Sequence, residues 1–342
     1  YYNGLCIMYY ENNIICRECR YIDGKINGLC IEYYENGNKK IEGYYKDGHT
    51  NGLYVEYYEN GNKKEETNYI NNKLNGLRIK YYENGNKQFI YTYKDDKLNG
   101  LQIKYYKNGN KEYETNYKDS KVNGLYIEYY ENGNKDFEAN YIDDIKNGLC
   151  IEYYENGTKE LECRFINNIK NGLCIKYYKN ENKQEEGYYK DGNKDGLCIE
   201  YDKNGKIESV RNYTNGLANG IFTIYHKNGK IKEQGNNVDD LANGKCTLYR
   251  KNGNKYSEYE YKDSERVGIC TIYRNDGTKK KEYNIDNREC KSYHKDGITP
   301  LREFTIIDKK LTGNYFKYDA NGELITAINR DRNGKIKYEH RK

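Results

Sequence analysis

A glycine that recurs every 24 residues constrains the fold of this chain more than any other feature. We number repeat positions from this glycine, which is position 0. A tyrosine occupies position 5 in all twelve units, and a second glycine occupies position 9 in all but two, where Asn13 and Glu181 replace it. The period runs without insertion or deletion through Gly4, Gly28, Gly52, Gly76, Gly100, Gly124, Gly148, Gly172, Gly196, Gly220, Gly244 and Gly268. Such regularity indicates tandem units that stack on their neighbours.

Each unit has the pattern of a β-hairpin. Positions 1 to 7, as in residues 29–35, alternate apolar and aromatic residues with polar ones, which is typical of a strand. Asn36 and Gly37 then predict a tight type I′ turn. Positions 10 to 17 predict the return strand, and a polar stretch such as residues 95–99 predicts a second, looser turn. A helix is excluded because glycine and Asn-Gly pairs interrupt it about every dozen residues.

The pairing of the two strands in each hairpin has two alternatives. A two-residue loop places position 2 opposite position 15, whereas a three-residue loop shifts the pairing by one residue. The Asn-Gly pair favours the two-residue loop. The three-residue loop would instead collect the apolar residues of positions 1, 3 and 5 on a cleaner face.

Composition agrees with a thin structure. Only 36% of the 342 residues are hydrophobic, and tyrosine supplies 44 of them while tryptophan is absent. Tyrosine can bury its ring and keep its hydroxyl in water, as a single layer requires. We therefore predict an all-β, elongated single-layer rod of stacked β-hairpins. Residues 1–285 would form twelve tandem repeats, and residues 286–342, with the single proline Pro300, would form degenerate repeats and a C-terminal cap.

The repeat resembles a known family in the run Tyr-Tyr-Glu-Asn-Gly, present at residues 33–37, 57–61 and 129–133. This motif, with eight residues between the two glycines, is similar to the MORN repeat, in the bacterial variant found in antitoxin-like proteins of toxin–antitoxin systems. The resemblance implies stacked hairpins and a scaffold, a membrane-associated linker, an antitoxin or a surface protein. The chain departs from the family at position 2, where the frequent tryptophan is replaced, for example by Cys30 or Tyr54.

Catalytic and metal-binding residues are not indicated. The four histidines fall in different repeats, and no phosphate-binding glycine loop occurs. Cys16 and Cys19 have the spacing of half a zinc site, but no second pair follows at a suitable distance. We expect no enzyme activity, no cofactor and no bound metal.

Two rows of side chains are the candidate partner-binding residues. Position 6 carries tyrosine early in the chain and charged residues later, which suggests that this row is partly exposed; exposed tyrosines favour protein binding. The predicted tyrosines are Tyr34, Tyr58, Tyr82, Tyr106, Tyr130, Tyr154 and Tyr178. Position 7 changes from glutamate to lysine along the chain, and the predicted lysines are Lys179, Lys203, Lys227 and Lys251.

Charge is unevenly distributed. Residues 203–342 hold 29 Lys and Arg against 19 Asp and Glu, while residues 1–202 hold 29 against 34. The basic C-terminal third could attract an anionic partner. Specific nucleic acid binding is not favoured, because acidic residues are interleaved with the basic ones. No segment reaches the roughly 18 apolar residues of a transmembrane helix.

Cysteines select the register and bear on the compartment. Position 15 is cysteine only at Cys19 and Cys163, and in both repeats position 2 is also cysteine, at Cys6 and Cys150. A two-residue loop would make Cys6–Cys19 and Cys150–Cys163 opposed pairs, as disulfides or adjacent thiols. The odd total of eleven cysteines favours the reducing cytoplasm. The alternative is secretion or the cell surface, if a signal peptide is removed.

The resulting functional hypothesis is a non-catalytic scaffold for protein–protein interaction, antitoxin-like if the family resemblance extends to function. The alternative is a surface or membrane-associated module. It would bind lipid head groups or glycans through the tyrosine rows and the basic C-terminal third.

Overall fold

The structure, a computed structural model, describes residues 2–307, 310–331, 333 and 335–342. These residues form strands and turns with no helix among them, which confirms the prediction of an all-β, single-layer fold. The chain divides into two compact units, residues 1–171 and residues 172–342.

The first unit is a run of antiparallel strands, each paired with its neighbours in sequence. Its strands are β1 (Gly4–Tyr9), β2 (Ile15–Ile22), β3 (Lys25–Tyr33), β4 (Lys39–Lys46), β5 (His49–Tyr57), β6 (Lys63–Ile70), β7 (Lys73–Tyr81), β8 (Lys87–Lys94), β9 (Lys97–Leu98), β10 (Gly100–Tyr105), β11 (Lys111–Lys118), β12 (Lys121–Tyr129), β13 (Lys135–Ile142), β14 (Ile145–Tyr153) and β15 (Lys159–Ile166).

The second unit repeats the same antiparallel pattern, and hairpins continue in it beyond the last regular repeat. Its strands are β16 (Ile169–Tyr177), which begins just before the unit, β17 (Lys183–Lys190), β18 (Asn193–Tyr201), β19 (Ile207–Thr214), β20 (Leu217–Ala218), β21 (Gly220–Tyr225), β22 (Ile231–Val238), β23 (Leu241–Ala242), β24 (Gly244–Tyr249), β25 (Lys255–Lys262), β26 (Glu265–Tyr273), β27 (Lys279–Asn284), β28 (Glu289–Tyr293), β29 (Pro300–Ile307), β30 (Lys310–Tyr318), β31 (Leu324–Arg330) and β32 (Ile336–Arg341).

The register within each hairpin is the favoured one, with position 2 opposite position 15, as Cys30 lies opposite Gly43. The turn type is different from the prediction. The amide of Gly37 donates to the Tyr34 carbonyl at 2.9 Å, and Gly37 has a φ of 85° while Asn36 has no positive φ. This is a type I turn followed by a glycine bulge rather than a type I′ turn. Asn36 is used differently: its side chain accepts from the amide of Asn38 at 2.9 Å.

The type I′ turns lie at the other end of the hairpins, where a looser turn was predicted. Asp95 and Asp96 have φ angles of 48° and 65°, and the strand resumes immediately at Lys97. Two successive positive φ angles define this tight turn, and Asp, Asn and Gly tolerate them best. The prediction of a loose loop was therefore wrong, because short polar residues were taken as a sign of irregular structure.

The most buried side chains form a row along the middle of each unit at positions 2 and 15 of successive strands, and position 3, on the other face of the sheet, adds residues such as Val55 and Ile151, which are 4% and 7% exposed. Cys19, Thr67 and Ala139 of this row are each 1% exposed. Gly43 of this row lies opposite the aromatic ring of Tyr54, whereas Gly187 lies opposite Cys198. Gln102 is also 1% exposed and buries its amide by donating to the Thr92 carbonyl at 2.9 Å. Position 2 can therefore hold residues of different size and polarity, because the neighbouring residue at position 15 can be small and the backbone can accept a hydrogen bond from a buried amide.

Candidate functional site

The tyrosine of position 5 is held by a polar network that repeats along the sheet. The hydroxyl of Tyr57 donates to Glu42 at 3.1 Å, and Lys39 donates to the same carboxylate at 2.9 Å. The same tyrosine–glutamate contact is found in Tyr33–Glu18, Tyr81–Glu66, Tyr129–Glu114, Tyr153–Glu138, Tyr201–Glu186 and Tyr273–Glu258. This row links most repeats to the one before it; Ile90, Val210 and Gln234 stand where the other repeats have the glutamate.

The network shifts the ionisation of its members in opposite directions. Burial, together with the hydrogen bond to Glu42, raises the pKa of Tyr57 to about 12. The ammonium group of Lys39, and then the hydroxyl of Tyr57, hold the pKa of the Glu42 carboxyl below its usual range. Both shifts favour a neutral tyrosine and a charged glutamate, so the contact stays intact across neutral pH. It is a structural link and not a pair prepared for proton transfer.

The tyrosines of position 6, predicted as a partly exposed binding row, are half-buried and their hydroxyls are engaged. Tyr34 donates to the carbonyl of Tyr57, the position 5 residue of the next repeat, at 2.8 Å. The same bond is made by Tyr58, Tyr82, Tyr106, Tyr130 and Tyr178 at 2.7–2.9 Å. Tyr154 is likewise half-buried. The row therefore ties repeats together, and its half-buried rings offer only part of their surface to a partner.

His226 and Arg250 at position 6 are half-buried like the tyrosines, in line with the partial exposure predicted from the sequence, and both make the contact that the tyrosines make. The ring of His226 lies 3.0 Å from the Tyr249 carbonyl, and Arg250 donates to the Tyr273 carbonyl at 2.8 Å. Each replaces a tyrosine by another long donor that reaches the same acceptor. Asp202 is the exception, because it accepts from the amides of Asn204 and Lys206 within its own turn.

The lysines of position 7 are exposed, as predicted. Lys179, Lys203, Lys227 and Lys251 lie on the turns with glycine bulges. Asparagine side chains of the preceding repeat fix the backbone of these turns: Asn228 donates to the Lys251 carbonyl at 2.7 Å.

A basic cavity of about 630 Å³ in the second unit brings two of these lysines together with other cations. Its basic lining residues are Arg211, His226, Lys227, Lys232 and Lys251. Two carboxylates, of Glu200 and Glu208, also line it. The Ser209 hydroxyl donates to Glu200 at 2.6 Å. In the described part of the chain, none of the four Arg and Lys side chains has an ion-pair partner. The arrangement suits an anionic group, since the four Lys and Arg side chains outnumber the two carboxylates.

Sequence reasoning missed an exposed row of aliphatic residues at position 1. The sequence pattern suggested that positions 1, 3 and 5 share an apolar face. Position 1 is nevertheless open to solvent. Its side chain lies opposite a polar side chain on the paired strand, as Leu53 lies opposite Asn68. In the first unit this leucine row comprises Leu5, Leu29, Leu53, Leu77, Leu101, Leu125 and Leu149, which are 36–59% exposed. The polar residues at position 16 could have predicted this exposure, because a buried leucine row would be paired with apolar residues on the same face.

The cysteine pairs are opposed as the register required, but the bonds differ. Cys6 lies opposite Cys19, and Cys150 lies opposite Cys163. Cys19 is joined to Cys30 on the next strand, with Cα atoms 4.1 Å apart, and Cys6 is free. Cys163 is disulfide-bonded while Cys150 is free. The predicted bonds are therefore not those formed, because position 15 has a position 2 neighbour on both sides and only one of the two was considered.

No group of three His, Cys, Asp or Glu side chains is placed to hold a metal ion among the residues that the structure describes. Across the same residues, no helix has the length and apolar character of a membrane-spanning segment.

Similarity to solved structures is weak. The chain is similar to crystal structures of TcdB2-TccC3-TEV and TcdB2-TccC3, at 12% and 10% identity and a TM-score of 0.18 for both. It is also similar to the Photorhabdus luminescens Tc holotoxin pore, at 11% identity and a TM-score of 0.19. These alignments cover 99%, 97% and 95% of this chain but only 20%, 20% and 19% of the larger chains, so the chain spans about a fifth of their length. At TM-scores this low, the similarity supports no conclusion about fold or function.

Sequence comparison is more informative. No curated protein matches the chain. A profile of the MORN repeat variant matches residues 26–47, 50–71, 74–95, 98–119, 122–143, 146–167, 194–215 and 218–237. These eight matches keep the 24-residue spacing and together cover about half of the sequence, and the chain therefore belongs to the MORN repeat variant family.

Proposed function

We propose that the chain is a non-catalytic scaffold that binds another protein through the leucine row of its first unit. Repeats of this family are generally modules for protein or membrane-lipid interaction and are typically non-catalytic. The observation that carries the proposal is the exposure of Leu53, Leu77 and Leu101, at 40%, 44% and 45%. Exposed apolar side chains within a polar surround are typical of protein-binding surfaces.

The spacing of the row suits an extended partner surface. Consecutive leucines are two strands apart, about 9.6 Å at ~4.8 Å per strand. Asparagine and tyrosine side chains of position 16 lie between them, as Tyr44 does opposite Leu29. A partner would gain apolar contacts at a fixed interval and hydrogen bonds in the intervals. An antitoxin-like action, in which the chain covers the working surface of its partner, is the specific form that the family resemblance suggests.

The test replaces exposed leucines without touching the buried row. We expect the variant Leu53→Ser, Leu77→Ser, Leu101→Ser to recover about tenfold less partner from native cells, as measured by quantitative mass spectrometry, because hot-spot truncation typically costs 1 kcal/mol or more. The matched control is Ile22→Ser, Ile70→Ser, Ile142→Ser, in which three equally exposed residues (44%, 51% and 55%) beside the type I′ turns are changed. Equal recovery by both variants would refute the leucine row as the binding surface.

The basic cavity of the second unit supports a second candidate function, the binding of an anionic surface such as lipid head groups. Glycan binding through the position 6 tyrosines is less well supported, because their hydroxyls already donate to backbone carbonyls. We expect Lys227→Gln, Lys232→Gln, Lys251→Gln to reduce co-sedimentation with anionic vesicles. The exposed lysines Lys46, Lys94 and Lys118, changed to glutamine in the same way, provide the control. Location in the cytoplasm remains a prediction, to be tested by fractionation of the native cell.

A further inference from the structure

Asp202 does not make the contact that longer side chains make at position 6. Tyrosine, histidine and arginine there each reach the position 5 carbonyl of the next repeat, as Tyr178 does. The Asp202 carboxylate accepts instead from the amides of Asn204 and Lys206, at 2.8 Å and 3.0 Å. The corresponding carbonyl of the next repeat is that of Tyr225. Among the residues that the structure describes, no side chain donates to it.

A tyrosine at position 6 is surrounded by the same repeat positions wherever it occurs, and Tyr106 shows which ones. Its hydroxyl donates to the Tyr129 carbonyl of the next repeat at 2.8 Å. Burial raises the pKa of Tyr106, and nearby carboxylates raise it further. These carboxylates lie at position 12 of its own repeat and at positions 12, 7 and 4 of the next repeat: Glu112, Asp136, Glu131 and Glu128. The four positions therefore mark the surroundings of the ring.

The basic cavity of about 630 Å³ lies at this same place in the repeat of Asp202. The residues at the four marked positions all line it: Glu208, Lys232, Lys227 and Ile224. Tyr225, whose carbonyl has no side-chain donor in the described part of the chain, lines it as well. The cavity thus occupies the space that a tyrosine ring fills in other repeats, and it adjoins the backbone acceptor that the tyrosine hydroxyl uses there.

We propose that this cavity binds a small aromatic hydroxy acid, whose ring takes the place of a position 6 tyrosine and whose hydroxyl donates to the Tyr225 carbonyl. The ring packs against Ile224, which is half-buried. A volume of about 630 Å³ lies within the range of small-molecule sites, ~300–1,000 Å³. The hydroxyl gives selectivity, because a ligand without it leaves the carbonyl unpaired.

The charge around the cavity indicates that the ligand is an acid. Positions 12 and 7 of the next repeat are Asp136 and Glu131 beside Tyr106, but they are Lys232 and Lys227 beside the cavity. The other two cations of the lining lie on neighbouring repeats and are Arg211 and Lys251. Carboxylates around a ring are compatible with the neutral tyrosine side chain, whereas an excess of cations favours a ligand with a negative charge.

The first test compares three ligands on the unmodified full chain by ligand-observed NMR titration. 4-Hydroxyphenylacetate has the ring, the hydroxyl and the charge, phenylacetate lacks the hydroxyl, and 4-hydroxyphenylacetamide lacks the charge. We expect phenylacetate to bind about threefold to tenfold more weakly than 4-hydroxyphenylacetate, because the hydrogen bond to the Tyr225 carbonyl is lost. We expect the amide to bind about threefold more weakly, and added salt to weaken binding of the acid.

The variant Asp202→Tyr tests whether the ligand occupies the place of the tyrosine found in other repeats. The introduced ring should lower the affinity for 4-hydroxyphenylacetate by about tenfold or more, because a ring on the same chain competes at a high effective concentration. Its thermal unfolding midpoint should not fall, which circular dichroism measures. Asp202→Asn is the matched control: it keeps the side-chain size, leaves the cavity open and should bind 4-hydroxyphenylacetate at least as tightly as the unmodified chain.

The same variant separates this site from the two functions proposed above. Asp202→Tyr retains all four Arg and Lys side chains of the cavity and leaves the leucine row unchanged. Its co-sedimentation with anionic vesicles and its recovery of a protein partner should therefore equal those of the unmodified chain. The proposal is overturned if 4-hydroxyphenylacetate does not bind the unmodified chain, if either analogue binds as tightly, or if Asp202→Tyr leaves the affinity unchanged.

Discussion

Side-chain sizes along the buried row compensate one another residue by residue. A Cβ atom added at Gly43 would lie 2.7 Å from Cδ2 of Tyr54, and one at Gly235 would lie 2.7 Å from Cε1 of Phe222. At Gly187, which has the same repeat position, the nearest atom would be the Cys198 sulfur at 3.3 Å. A large neighbour at position 2, and not the backbone, therefore accounts for glycine at Gly43 and Gly235, whereas Gly187 has only cysteine beside it.

This compensation predicts a strong coupling between two residues. We expect Gly43→Ala to destabilise the chain by about 1–3 kcal/mol, as overpacking does. The cost should largely disappear when Tyr54 is also changed to Cys, the commonest residue at that repeat position, and urea unfolding of the double-mutant cycle measures the coupling. Gly187→Ala is the control and should cost clearly less. Equal costs at Gly43 and Gly187 would contradict the steric explanation.

The position 6 row shows what a single sequence conceals at this scale. A row in which Tyr178 is succeeded by His226 and Arg250 looks like a surface that drifts toward charge. The property that is kept is a long side chain with a donor, and its acceptor is a backbone carbonyl of the next repeat. Backbone acceptors leave no trace in the sequence, so the row was interpreted as a binding surface.

At the scale of the element, the two turns of each hairpin differ in their need for glycine. The glycine-bulge turn requires a positive φ at position 9. Glu181 occupies this position with a φ of 67°, a conformation that is favourable for glycine and unfavourable for other residues. A non-glycine residue in this left-handed conformation is strained by roughly 1–2 kcal/mol. Glu181 keeps the turn hydrogen bond all the same, since its amide donates to the Tyr178 carbonyl at 2.9 Å.

Relief of this strain is testable with a reciprocal pair of variants. Glu181→Gly should stabilise the chain by about 1 kcal/mol after the extra entropy of the unfolded glycine is deducted. Gly205→Glu, at the same position of the next repeat, where φ is 80°, should destabilise by a similar amount. Chemical denaturation gives both values. A neutral or destabilising Glu181→Gly would show that the turn is not strained at this residue.

For the whole molecule, the sequence alone predicted the stacked antiparallel hairpins and their register, because a fixed period repeats the same evidence twelve times. Turn types were interchanged, since Asn36-Gly37 and Asp95-Asp96 are both compatible with positive φ and only the hydrogen bonds distinguish them. The exposure of the leucine row and the choice of disulfide partner depend on which of the two neighbouring strands a side chain contacts. That information is contained in the assembled sheet and not in any one repeat.

The repeated tyrosine–glutamate contacts set the pH range over which the whole chain is stable. Burial and contacts with glutamate raise the pKa of Tyr33, Tyr57 and Tyr201 to about 12, above the ordinary value of about 10. A raised pKa contributes stability that is complete below pH 10 and is lost as the pH rises toward 12. The carboxyls of Glu42 and Glu186 have lowered pKa values, so their contribution is present above the ordinary value near 4.5 and is lost as the pH falls.

We therefore expect a thermal unfolding midpoint that is nearly constant from about pH 5 to pH 10 and falls on both sides, as followed by circular dichroism. The alkaline fall should be shallower in Tyr33→Phe, Tyr57→Phe, Tyr201→Phe, which keeps the rings and removes three ionising hydroxyls. Tyr44→Phe and Tyr188→Phe, at exposed tyrosines of position 16 (48% and 54%), provide the control and should leave the alkaline fall unchanged. An alkaline midpoint that does not depend on the position 5 hydroxyls would refute this account, because ionisation of other tyrosines would then be sufficient to unfold the sheet.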